Sequence, residues 1–276
     1  MPDSLRGMRA GRGVDSLRAM SYLPGRRSGC SGPAGRSDPR VSADPSGRRR
    51  EGTMSSLSVA VIAHNEEEML PGALASVAWA DQVVLIDCSS TDATGRLARE
   101  AGAEVFVEPN RSNLNLNKNL AIDRCTGDWI LVLDADERIP PALAEEIRRV
   151  MDRGRHAGYF IPRRNHVLGK WVRHGGQYPD LQLRLFRRGT ARFPARHVHE
   201  RISVKGSVGR LHHPMDHHPY PTVTHMLRKG EFYASFEAEK LLRRGASYPE
   251  AVLFLNIGLR QAGRFLRRFL LKGGFL

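Results

Sequence analysis

Short apolar runs rich in β-branched residues recur through the first half of the chain, and each run is followed by a polar turn. Runs of roughly 4–8 such residues between turn residues are typical of buried strands. Four strands are predicted in this way, over residues 58–63, 82–87, 104–107 and 129–133.

Helical patterns fill the intervals between these strands. Asn65, with Glu68 three residues later, is expected to form a capping box at the start of the first helix. Further helices are predicted over about 93–101 and 118–124, the second after a polar loop at 110–117. Strands and helices that alternate with short connections predict a three-layer α/β fold with a mostly parallel, Rossmann-like central sheet.

The pattern changes after a helix predicted over residues 142–151. Two further strands are predicted at 159–164 and 181–186, and a glycine-rich loop over 169–180 separates them. The loop carries aromatic, cationic and acidic side chains, namely Trp171, Arg173, His174, Tyr178 and Asp180. Such a set suits the wall of a sugar-binding site, and a plain hairpin tip is the alternative.

The N-terminal residues 1–53 differ in composition from everything that follows. They hold eleven arginines against five acidic residues, so +6 of the net charge of +14 lies there. With few large apolar residues they cannot bury enough surface to fold, and a disordered basic extension is predicted. Because Met54 directly precedes the first strand, translation from Met54 is the favoured explanation, and a nucleic-acid-binding arm is the alternative.

The C-terminal region, residues 225–276, is predicted to be helical, basic and amphipathic. Phe265, Leu266, Phe269 and Leu270 recur at helical spacing with arginines between them. Arginines at this density exclude a transmembrane span. An anionic membrane surface is therefore an expected partner, and packing on the domain with a charged outer face is the alternative.

Overall composition narrows the function classes. The 276 residues carry a net charge of +14, and the isoelectric point is about 10.5. The three cysteines, Cys30, Cys88 and Cys125, form no CxxC pair, which argues for a reducing compartment and against a secreted disulfide fold. The chain has neither a GxGxxG nor a GxxxxGK[ST] sequence, so ordinary dinucleotide and P-loop sites are excluded. In the basic extension at 1–53 no series of aromatic residues is interleaved with the arginines to stack bases, and no nucleic-acid partner is expected.

Carboxylates gather where the fourth predicted strand ends. Asp134, Asp136 and Glu137 lie within four residues, and Asp87 ends the second strand. Ligands of open α/β sheets bind at the carboxyl ends of strands, so a site is expected there. Oxygen ligands suit Mg²⁺ or Mn²⁺, and such an ion suits a diphosphate. The alternative is a solvated acidic turn before the next helix.

Histidines are concentrated later in the chain, where seven of the eleven follow residue 196. Cysteines at zinc spacing are absent, and histidines scattered over a polar face are the ordinary explanation. His213 and His217 are nevertheless candidates to complete the shell of a cation held by Asp134 and Asp136.

Several of these residues, taken in order, resemble the family 2 nucleotide-sugar glycosyltransferases with the GT-A fold. The likeness extends from about Ser58 to His225. Residues 63–67 are similar to the family's first nucleotide-contact loop, and residues 87–94 to its D-x-x-S-T-D-x-T turn. Lys118-Asn119 resembles its basic residue and asparagine before the next strand, and Asp134-Ala135-Asp136 resembles its D-x-D motif.

A narrower likeness is to the lipopolysaccharide core β-1,4-glucosyltransferases. It rests on residues 134–138, 175–180, 184–186 and 198–200. The family usually continues past a sequence such as Gly274-Phe275-Leu276, so the C-terminal helical region is expected to be truncated here.

The resemblance implies a division of the chain. Residues 54–224 are expected to form a GT-A domain, with a nucleotide-sugar half at 54–140 and an acceptor half at 141–224. The C-terminal helices would follow this domain.

The resemblance also implies roles for individual residues. Donor contacts are expected from Ala63, Asn65, Glu66, Asp87, Ser89, Lys118, Asp134, Ala135 and Asp136. Acceptor contacts are expected from Trp171, Arg173, His174, Tyr178, Asp180 and His199. Metal ligands are expected among Asp134, Asp136, His213 and His217. Glu200 is favoured over Asp180 as general base, because related enzymes keep an acidic residue at that position; a plain ion pair of Glu200 with Arg196 or Arg201 is the alternative.

The activity implied by the resemblance is inverting transfer from a nucleotide sugar, above all UDP-glucose, with Mg²⁺ or Mn²⁺ as cofactor. Such enzymes act on lipid-linked glycan acceptors at the cytoplasmic face of the bacterial inner membrane, where this chain is expected to be peripheral. Polyprenyl phosphate or an exopolysaccharide intermediate is an alternative acceptor. A nucleotidyltransferase is a further alternative, although its triphosphate loop would be basic whereas Ala63-His64-Asn65-Glu66 is acidic.

Overall fold

The structure, a computed structural model, describes residues 55–111, 113–194, 201–243 and 250–274. The strands are β1 (Leu57–Ala63), β2 (Gln82–Asp87), β3 (Glu104–Val107), β4 (Trp129–Asp134), β5 (Glu137–Arg138), β6 (Gly158–Val167), β7 (Lys170–Trp171), β8 (Asp180–Arg187), β9 (Ala191–Arg192), β10 (Ser203–Val204), β11 (Val208–Arg210) and β12 (Met215–Tyr220). The helices are α1 (Leu70–Ser76), α2 (Thr94–Glu100), α3 (Leu114–Arg124), α4 (Pro141–Arg153), α5 (Val223–Arg243) and α6 (Glu250–Leu266), and a π-helical turn (Arg267–Leu271) continues α6. The extension predicted at 1–53, Met54, His199 and Glu200 lie outside the described residues.

The first four strands along the chain make the parallel half of the central sheet. Their order is β3-β2-β1-β4, and every pair in this half is parallel. The register places Ala63 beside Asp87 and Ile62 beside Asp134. The carboxyl ends of β1, β2 and β4 therefore meet at one edge of the sheet, as predicted from the strand pattern.

Helices cover both faces of this sheet because side chains of successive strand residues point to opposite faces. Val59 and Leu131 belong to one buried cluster, which includes residues of α1 and α4. Ala60 and Ile130 belong to a second cluster, which includes Ile122 of α3. The predicted three-layer α/β fold is confirmed.

The later strands extend the same sheet with mixed direction. β8 pairs antiparallel with β4, β6 pairs antiparallel with β8, and β12 runs parallel to β6. The short strand β5 closes this end by pairing with β12. Because β5 directly follows β4 along the chain, the sheet curls, and β12 lies close to the turn that links β4 to β5.

The predicted capping box at Asn65 is wrong. α1 begins only at Leu70, and no side chain caps its N-terminus. Asn65 instead adopts a left-handed backbone with φ of 54°, and its Oδ1 accepts the N–H of Thr91 at 2.8 Å. Asparagine tolerates this conformation and bonds readily to nearby backbone, so it serves the loop rather than the helix.

The third helix is longer than predicted, because its polar face is buried. α3 begins at Leu114 with Asn113 as its N-cap, four residues before the expected start. The Asn117 amide donates to the Pro109 carbonyl at 3.0 Å, and Asn119 exchanges hydrogen bonds with the backbone of Phe193. Polar residues that the pattern assigned to a loop are thus satisfied inside the fold.

The C-terminal helices contain no segment, among the residues described, that is long and apolar enough to cross a membrane. α5 nevertheless packs against β12, and the backbone carbonyl of Lys272 accepts the N–H of Gly175 at 2.8 Å. The end of the described chain therefore contacts the glycine-rich loop between β7 and β8.

Candidate active site

A cleft of about 470 Å³ lies at the carboxyl ends of β1, β2 and β4. Its lining includes residues from both halves of the sheet and one residue of α5. These residues are Ile62, Ala63, His64, Glu66, Cys88, Leu114, Lys118, Asp134, Ala135, Asp136, Arg163, His217, Pro219, Tyr220 and Lys229. Of the residues expected to bind donor or metal, the structure brings seven together in this cleft: Ala63, Glu66, Lys118, Asp134, Ala135, Asp136 and His217.

The loops after β1 and β2 are held together by cross-loop hydrogen bonds. In addition to the bond from Thr91 to Asn65, the Glu66 N–H donates to Thr94 Oγ1 at 2.8 Å. His64 Nδ1 lies 2.7 Å from the Cys88 carbonyl oxygen. These bonds fix one wall of the cleft before any ligand arrives.

Asp87 ends β2 beside this wall and is nearly buried. Its carboxylate accepts the N–H of Ser90 at 2.9 Å. A Cβ added at Gly95 would lie 2.6 Å from Asp87 Oδ2, so only glycine leaves room for the carboxylate there. Ser89 lies next in the chain with φ of 56° and donates its hydroxyl to the Glu108 carbonyl at 2.9 Å. Neither Asp87 nor Ser89 lines the cleft, although Cys88 adjoins both and does.

Asp134 is held by cations on both carboxylate oxygens. Lys118 Nζ lies 2.7 Å from Oδ1, and the Arg184 guanidinium donates to Oδ2. Burial raises the pKa of Asp134, but the charges of Arg184 and Lys118 outweigh it and hold the pKa well below its usual range. Asp134 is therefore ionised and already neutralised by protein groups.

Glu137 connects this carboxylate to strands β6 and β8. It is fully buried, and Oε1 accepts from Arg184 at 2.7 Å and from Arg163 at 3.2 Å. Its other oxygen accepts the Asp134 N–H at 3.0 Å, which fixes the turn between β4 and β5. Arg163 also donates to Asp180 at 2.6 Å, so alternating charges extend from Asp134 to Asp180.

Asp180 has a lowered pKa in this chain of charges. Burial raises the pKa, but the charge and hydrogen bonds of Arg163, with bonds from Gln182 and Asn165, outweigh burial. An ionised Asp180 that is paired in this way has little affinity for a further proton.

Asp136 is the carboxylate of the turn that projects into the cleft. Lys229 Nζ of α5 lies 3.1 Å from Oδ2, and His217 Nε2 of β12 lies 3.5 Å from the same oxygen. Burial raises the pKa of Asp136, but hydrogen bonding and charge from His217, together with Lys229, lower it to a net value well below the usual range.

His217 is oriented by Asn165. The Asn165 amide nitrogen donates to the Gln177 carbonyl at 3.3 Å and to Asp180 at 3.4 Å, so its Oδ1 is left to accept from His217 Nδ1 at 2.7 Å. This bond turns the other ring nitrogen, Nε2, toward Oδ2 of Asp136. A histidine that ligates a metal is commonly oriented by such a hydrogen bond.

Glu66 shares the cleft with Asp136. Burial raises the pKa of Glu66 to about 7, the nearby charges of Asp136 and Asp134 add to this rise, and Lys229 opposes it. Burial is the larger cause of this rise, so the Glu66 carboxyl lies in a poorly solvated part of the cleft beside two other carboxylates.

The residues present fit a divalent cation held jointly by protein and diphosphate. Within the described ranges no group of three His, Cys, Asp or Glu side chains could hold a metal by itself. Asp136 and His217 offer one carboxylate and one imidazole, and the ammonium of Lys229 marks the position of a positive charge at Asp136. Mg²⁺ and Mn²⁺ are often bound by one or two protein ligands, with phosphate oxygens and water completing the shell.

The predicted acceptor wall is assembled around Trp171. The Arg173 guanidinium lies 4.3 Å from the Trp171 ring centroid, and Tyr178 packs edge-on to it with centroids 5.3 Å apart. His174 lies in the same loop and its carbonyl accepts the Gln177 N–H. These four residues do not line the cleft itself; Asp180 connects to it through Arg163.

His213 is not brought to the cleft. Its ring and backbone N–H both bond to the Glu146 carboxylate of α4, at 2.9 and 2.8 Å, and His212 binds the same carboxylate. The two histidines fasten the chain before β12 to α4, which is a structural role. Of the two late histidines expected at the metal, only His217 reaches Asp136.

Lys229 and Arg163 line the cleft and Asn165 orients His217, but no sequence pattern assigned a role to any of them. Glu137 and Arg184 lie within residues 134–138 and 184–186, which carry the family likeness, but neither had a predicted role. Their contacts join elements far apart in sequence, and a fully buried carboxylate such as Glu137 gives no local pattern that marks its partners.

The comparisons with known proteins agree with this architecture. A family model described as Glycosyl transferase family 2 matches residues 58–208. A TPR repeat-containing protein of Synechococcus elongatus is 36% identical over 136 residues, which cover 49% of this chain and 32% of that protein. The lipopolysaccharide core biosynthesis glycosyltransferase LpsC of Rhizobium meliloti is 29% identical over 197 residues, covering 68% of this chain and 73% of LpsC.

Among solved structures, S. aureus TarS 1-349 is similar over 59% of this chain and 61% of that one, with 16% identity and a TM-score of 0.46. The part of this chain that matches the Synechococcus protein spans only about a third of that protein's length.

Proposed function

The chain belongs to glycosyl transferase family 2, and on this basis we propose that it moves glucose from UDP-glucose to a lipid-linked saccharide with inversion at the anomeric carbon. The acceptor proposed is a lipopolysaccharide core or related cell-envelope glycan, because LpsC, a relative over 73% of its own length, carries that description. The observation that carries the proposal is the cleft in which Asp136 meets Lys229 and His217 beside the bonded loops of β1 and β2.

The donor nucleoside is proposed to lie against the loops after β1 and β2. Asp87, Asn65 and Ser89 belong to this wall, and hydrogen bonds between the loops hold it in place. The diphosphate would then reach Asp136 and Lys229, which line the same cleft as Glu66. An ammonium is a suitable partner for a phosphate, and the negative Asp134 is already neutralised by Lys118 and Arg184.

The proposed reaction is a single in-line displacement. The acceptor hydroxyl oxygen forms a bond to the anomeric carbon while the bond from that carbon to the diphosphate oxygen breaks. The electron pair of the broken bond leaves with the diphosphate, and a general base takes the hydroxyl proton. A bound divalent cation would neutralise charge on the departing diphosphate, with Asp136 and His217 as its protein ligands.

Lys229 is proposed to stabilise the departing diphosphate. Its ammonium, 3.1 Å from Asp136 Oδ2, would face the diphosphate as negative charge grows there, and would stabilise the leaving group electrostatically. Arg184 and Glu137 position the turn that carries Asp136, because both hold the Asp134 end of that turn.

Glu200 remains the proposed general base, although it lies outside the described residues. The alternative, Asp180, is paired with Arg163 and has a lowered pKa, and both features disfavour proton transfer to it. The proposal thus assigns Asp180 to the positioning of the acceptor wall and Glu200 to the proton.

A nucleotide-sugar screen tests this function. UDP-, GDP- and dTDP-sugars are incubated with the full chain and Mg²⁺ or Mn²⁺, and slow hydrolysis and binding are measured. UDP-glucose is expected to bind and to be hydrolysed in a metal-dependent manner. A protein that binds none of these donors in either metal would contradict the proposed function.

A further inference from the structure

The C-terminal basic surface is formed by α6, the π-helical turn and the residues after it. Its cationic members are Arg260, Arg264, Arg267, Arg268 and Lys272, and its apolar members are Leu259, Phe265, Leu266, Phe269, Leu270 and Leu271. Residues 251–276 contain no acidic side chain. All charged side chains of this surface are therefore positive.

The apolar members are unusually exposed. Phe265 is 62% exposed, Leu270 60% and Leu271 81%. Contiguous large apolar residues on a surface mark a site of interaction rather than a solvated face. Since arginines lie between them, the partner must accept apolar side chains and cations over the same area.

A concavity in this surface is shaped by the same residues. A hollow of about 720 Å³ is lined by Arg264, Arg267, Arg268 and Lys272 together with Gln261, Gly274 and two phenylalanines. The rings of Phe265 and Phe269 stack with centroids 5.4 Å apart. Four cations around a hollow with an aromatic wall suit a phosphate group that is attached to an apolar chain.

The surface is also fastened to the proposed acceptor wall. Gly175 donates its N–H to the Lys272 carbonyl at 2.8 Å, and a Cβ at Gly176 would meet the Lys272 side chain at 2.6 Å. Gly175 and Gly176 both have positive φ, at 67° and 73°. The loop that carries Trp171 and Tyr178 is thus in direct contact with the C-terminal basic surface.

We propose that the C-terminal basic surface docks on an anionic phospholipid bilayer, with headgroup phosphates in the arginine-lined hollow and the exposed phenylalanines and leucines among the acyl chains. Docking places the glycine-rich loop at the bilayer, so that an acceptor carried on a lipid reaches the cleft from the membrane side. The second statement rests on the proposed function, whereas bilayer binding does not.

A bilayer fits these observations better than a nucleic acid does. A nucleic acid would neutralise the arginines but leave Leu270 and Leu271 against water, since their aliphatic side chains have no base to stack on. A bilayer interface accepts both groups, because basic residues meet headgroups and apolar residues enter the acyl boundary.

Flotation with the full chain tests the proposal. Vesicles of phosphatidylcholine alone and of phosphatidylcholine with 30 mol % phosphatidylglycerol are the probes. Wild-type protein is expected to float with the anionic vesicles, and less as salt rises. The triple variant R264E/R267E/R268E should partition on the order of 100-fold more weakly, since each basic residue near an anionic surface contributes substantially.

A matched control and a second variant separate charge from fold. R96E/R149E/R153E makes the same change in net charge on exposed arginines of α2 and α4 and should float like wild type. L270S/L271S should weaken flotation by about tenfold or more while the fold is kept, because both residues are already exposed.

Four results would overturn the proposal: no flotation of the wild type, equal flotation with neutral vesicles, equal loss in the control triple variant, or tighter binding to a DNA duplex through the same arginines. Flotation of D136N, which is expected to match wild type, keeps this test independent of the donor site. A failed nucleotide-sugar screen would then leave bilayer binding intact.

Discussion

The ammonium of Lys229 lies 3.1 Å from Oδ2 of Asp136, across 93 positions of the sequence. Lys229 is on α5, beyond the residues 58–208 that match the family model. The candidate donor site is therefore completed by a side chain from the C-terminal region, and the cleft carries a cation that the motifs of the first half do not supply.

Replacing Lys229 tests whether this residue contributes to the donor site. Lys229→Gln is expected to weaken UDP-glucose binding by about 10- to 100-fold, because a charge-assisted bond to phosphate contributes roughly 1.5–3 kcal/mol. Lys229→Arg should keep most of the affinity. Isothermal titration with Mn²⁺ present measures both, and Arg228→Gln, the exposed neighbour with the same charge, is the control. Unchanged affinity in Lys229→Gln would remove this residue from the donor site.

Arg184 is expected to be essential for stability because it neutralises two carboxylates in the interior. Arg184→Met leaves Asp134 and the fully buried Glu137 without their shared partner, a change that costs about 3–5 kcal/mol in comparable buried pairs. Urea unfolding measures the loss. The double variant Arg184→Met/Glu137→Gln should recover part of it, since one of the stranded charges is then removed.

An exposed ion pair provides the comparison for that result. Arg192 binds Asp123 at 2.7 Å, but both side chains are largely exposed. Arg192→Met should change the free energy of unfolding by less than about 1 kcal/mol, as is usual for surface pairs. Equal losses of unfolding free energy in Arg184→Met and Arg192→Met would show that the buried ion pairs of Arg184 stabilise the fold no more than a surface pair does.

Glu66 should make stability depend on pH. Its folded pKa is about 7 against a usual 4.5, so the folded state holds the proton at pH values where the unfolded state has lost it. Stability associated with this proton is complete at low pH, declines as pH rises from 4.5 to 7, and stays at the lower level above 7.

Glu66→Gln removes that decline. The variant should resemble wild type near pH 4.5 and be more stable at pH 8 by on the order of 1–2 kcal/mol, a value reduced because the cleft is open to water. Melting temperatures at the two pH values measure the difference, with the exposed Glu68→Gln as control. A stability difference that is the same at both pH values would contradict the raised pKa of Glu66.

The two candidate bases should differ in kinetics. Glu200→Gln is expected to keep donor affinity and to lose transfer by on the order of 10²-fold or more, as for a general base. Asp180→Asn should lower kcat by less than about tenfold, since Arg163 already holds the Asp180 carboxylate in its ionised form. Single-turnover transfer and donor titration separate the two effects, and the reverse order of losses would move the base to Asp180.

The parallel half of the fold could be predicted because its signals are local. Strands β2 and β3 begin and end at the predicted residues, and β1 begins one residue earlier than predicted. Apolar runs followed by polar turns report burial directly, and parallel strands place their ends at one edge. The positions of Ala63, Asp134 and Asp136 in one cleft follow from that rule.

Local patterns failed where side chains bond across the fold. Asn65 has the sequence context of a helix cap, but its amide serves Thr91 in the neighbouring loop. His213 has the residue type of a metal ligand, but Glu146 holds it against α4. In both cases a partner remote in sequence decides the role, and no local spacing marks that partner.

The cations near Asp134 and Asp136 could not be predicted from local patterns either. Lys229, Arg163 and Arg184 come from α5, β6 and β8, and only the curled sheet and the packing of α5 bring them to Asp134 and Asp136. A sequence shows the carboxylates as a cluster because they are consecutive. It shows the cations only as three scattered basic residues among 43.

Metal-dependent turnover of UDP-glucose by Asp136 variants tests the central claim most directly. Asp128→Asn is the matched control, because Asp128 precedes the same strand at its other end, where its carboxylate accepts hydrogen bonds from Ser56. With Mn²⁺, Asp136→Asn is expected to lose hydrolysis and transfer by on the order of 10²-fold or more, whereas Asp128→Asn retains them. Wild-type turnover in Asp136→Asn, or equal losses in both variants, would contradict the assignment of the cleft as the donor site.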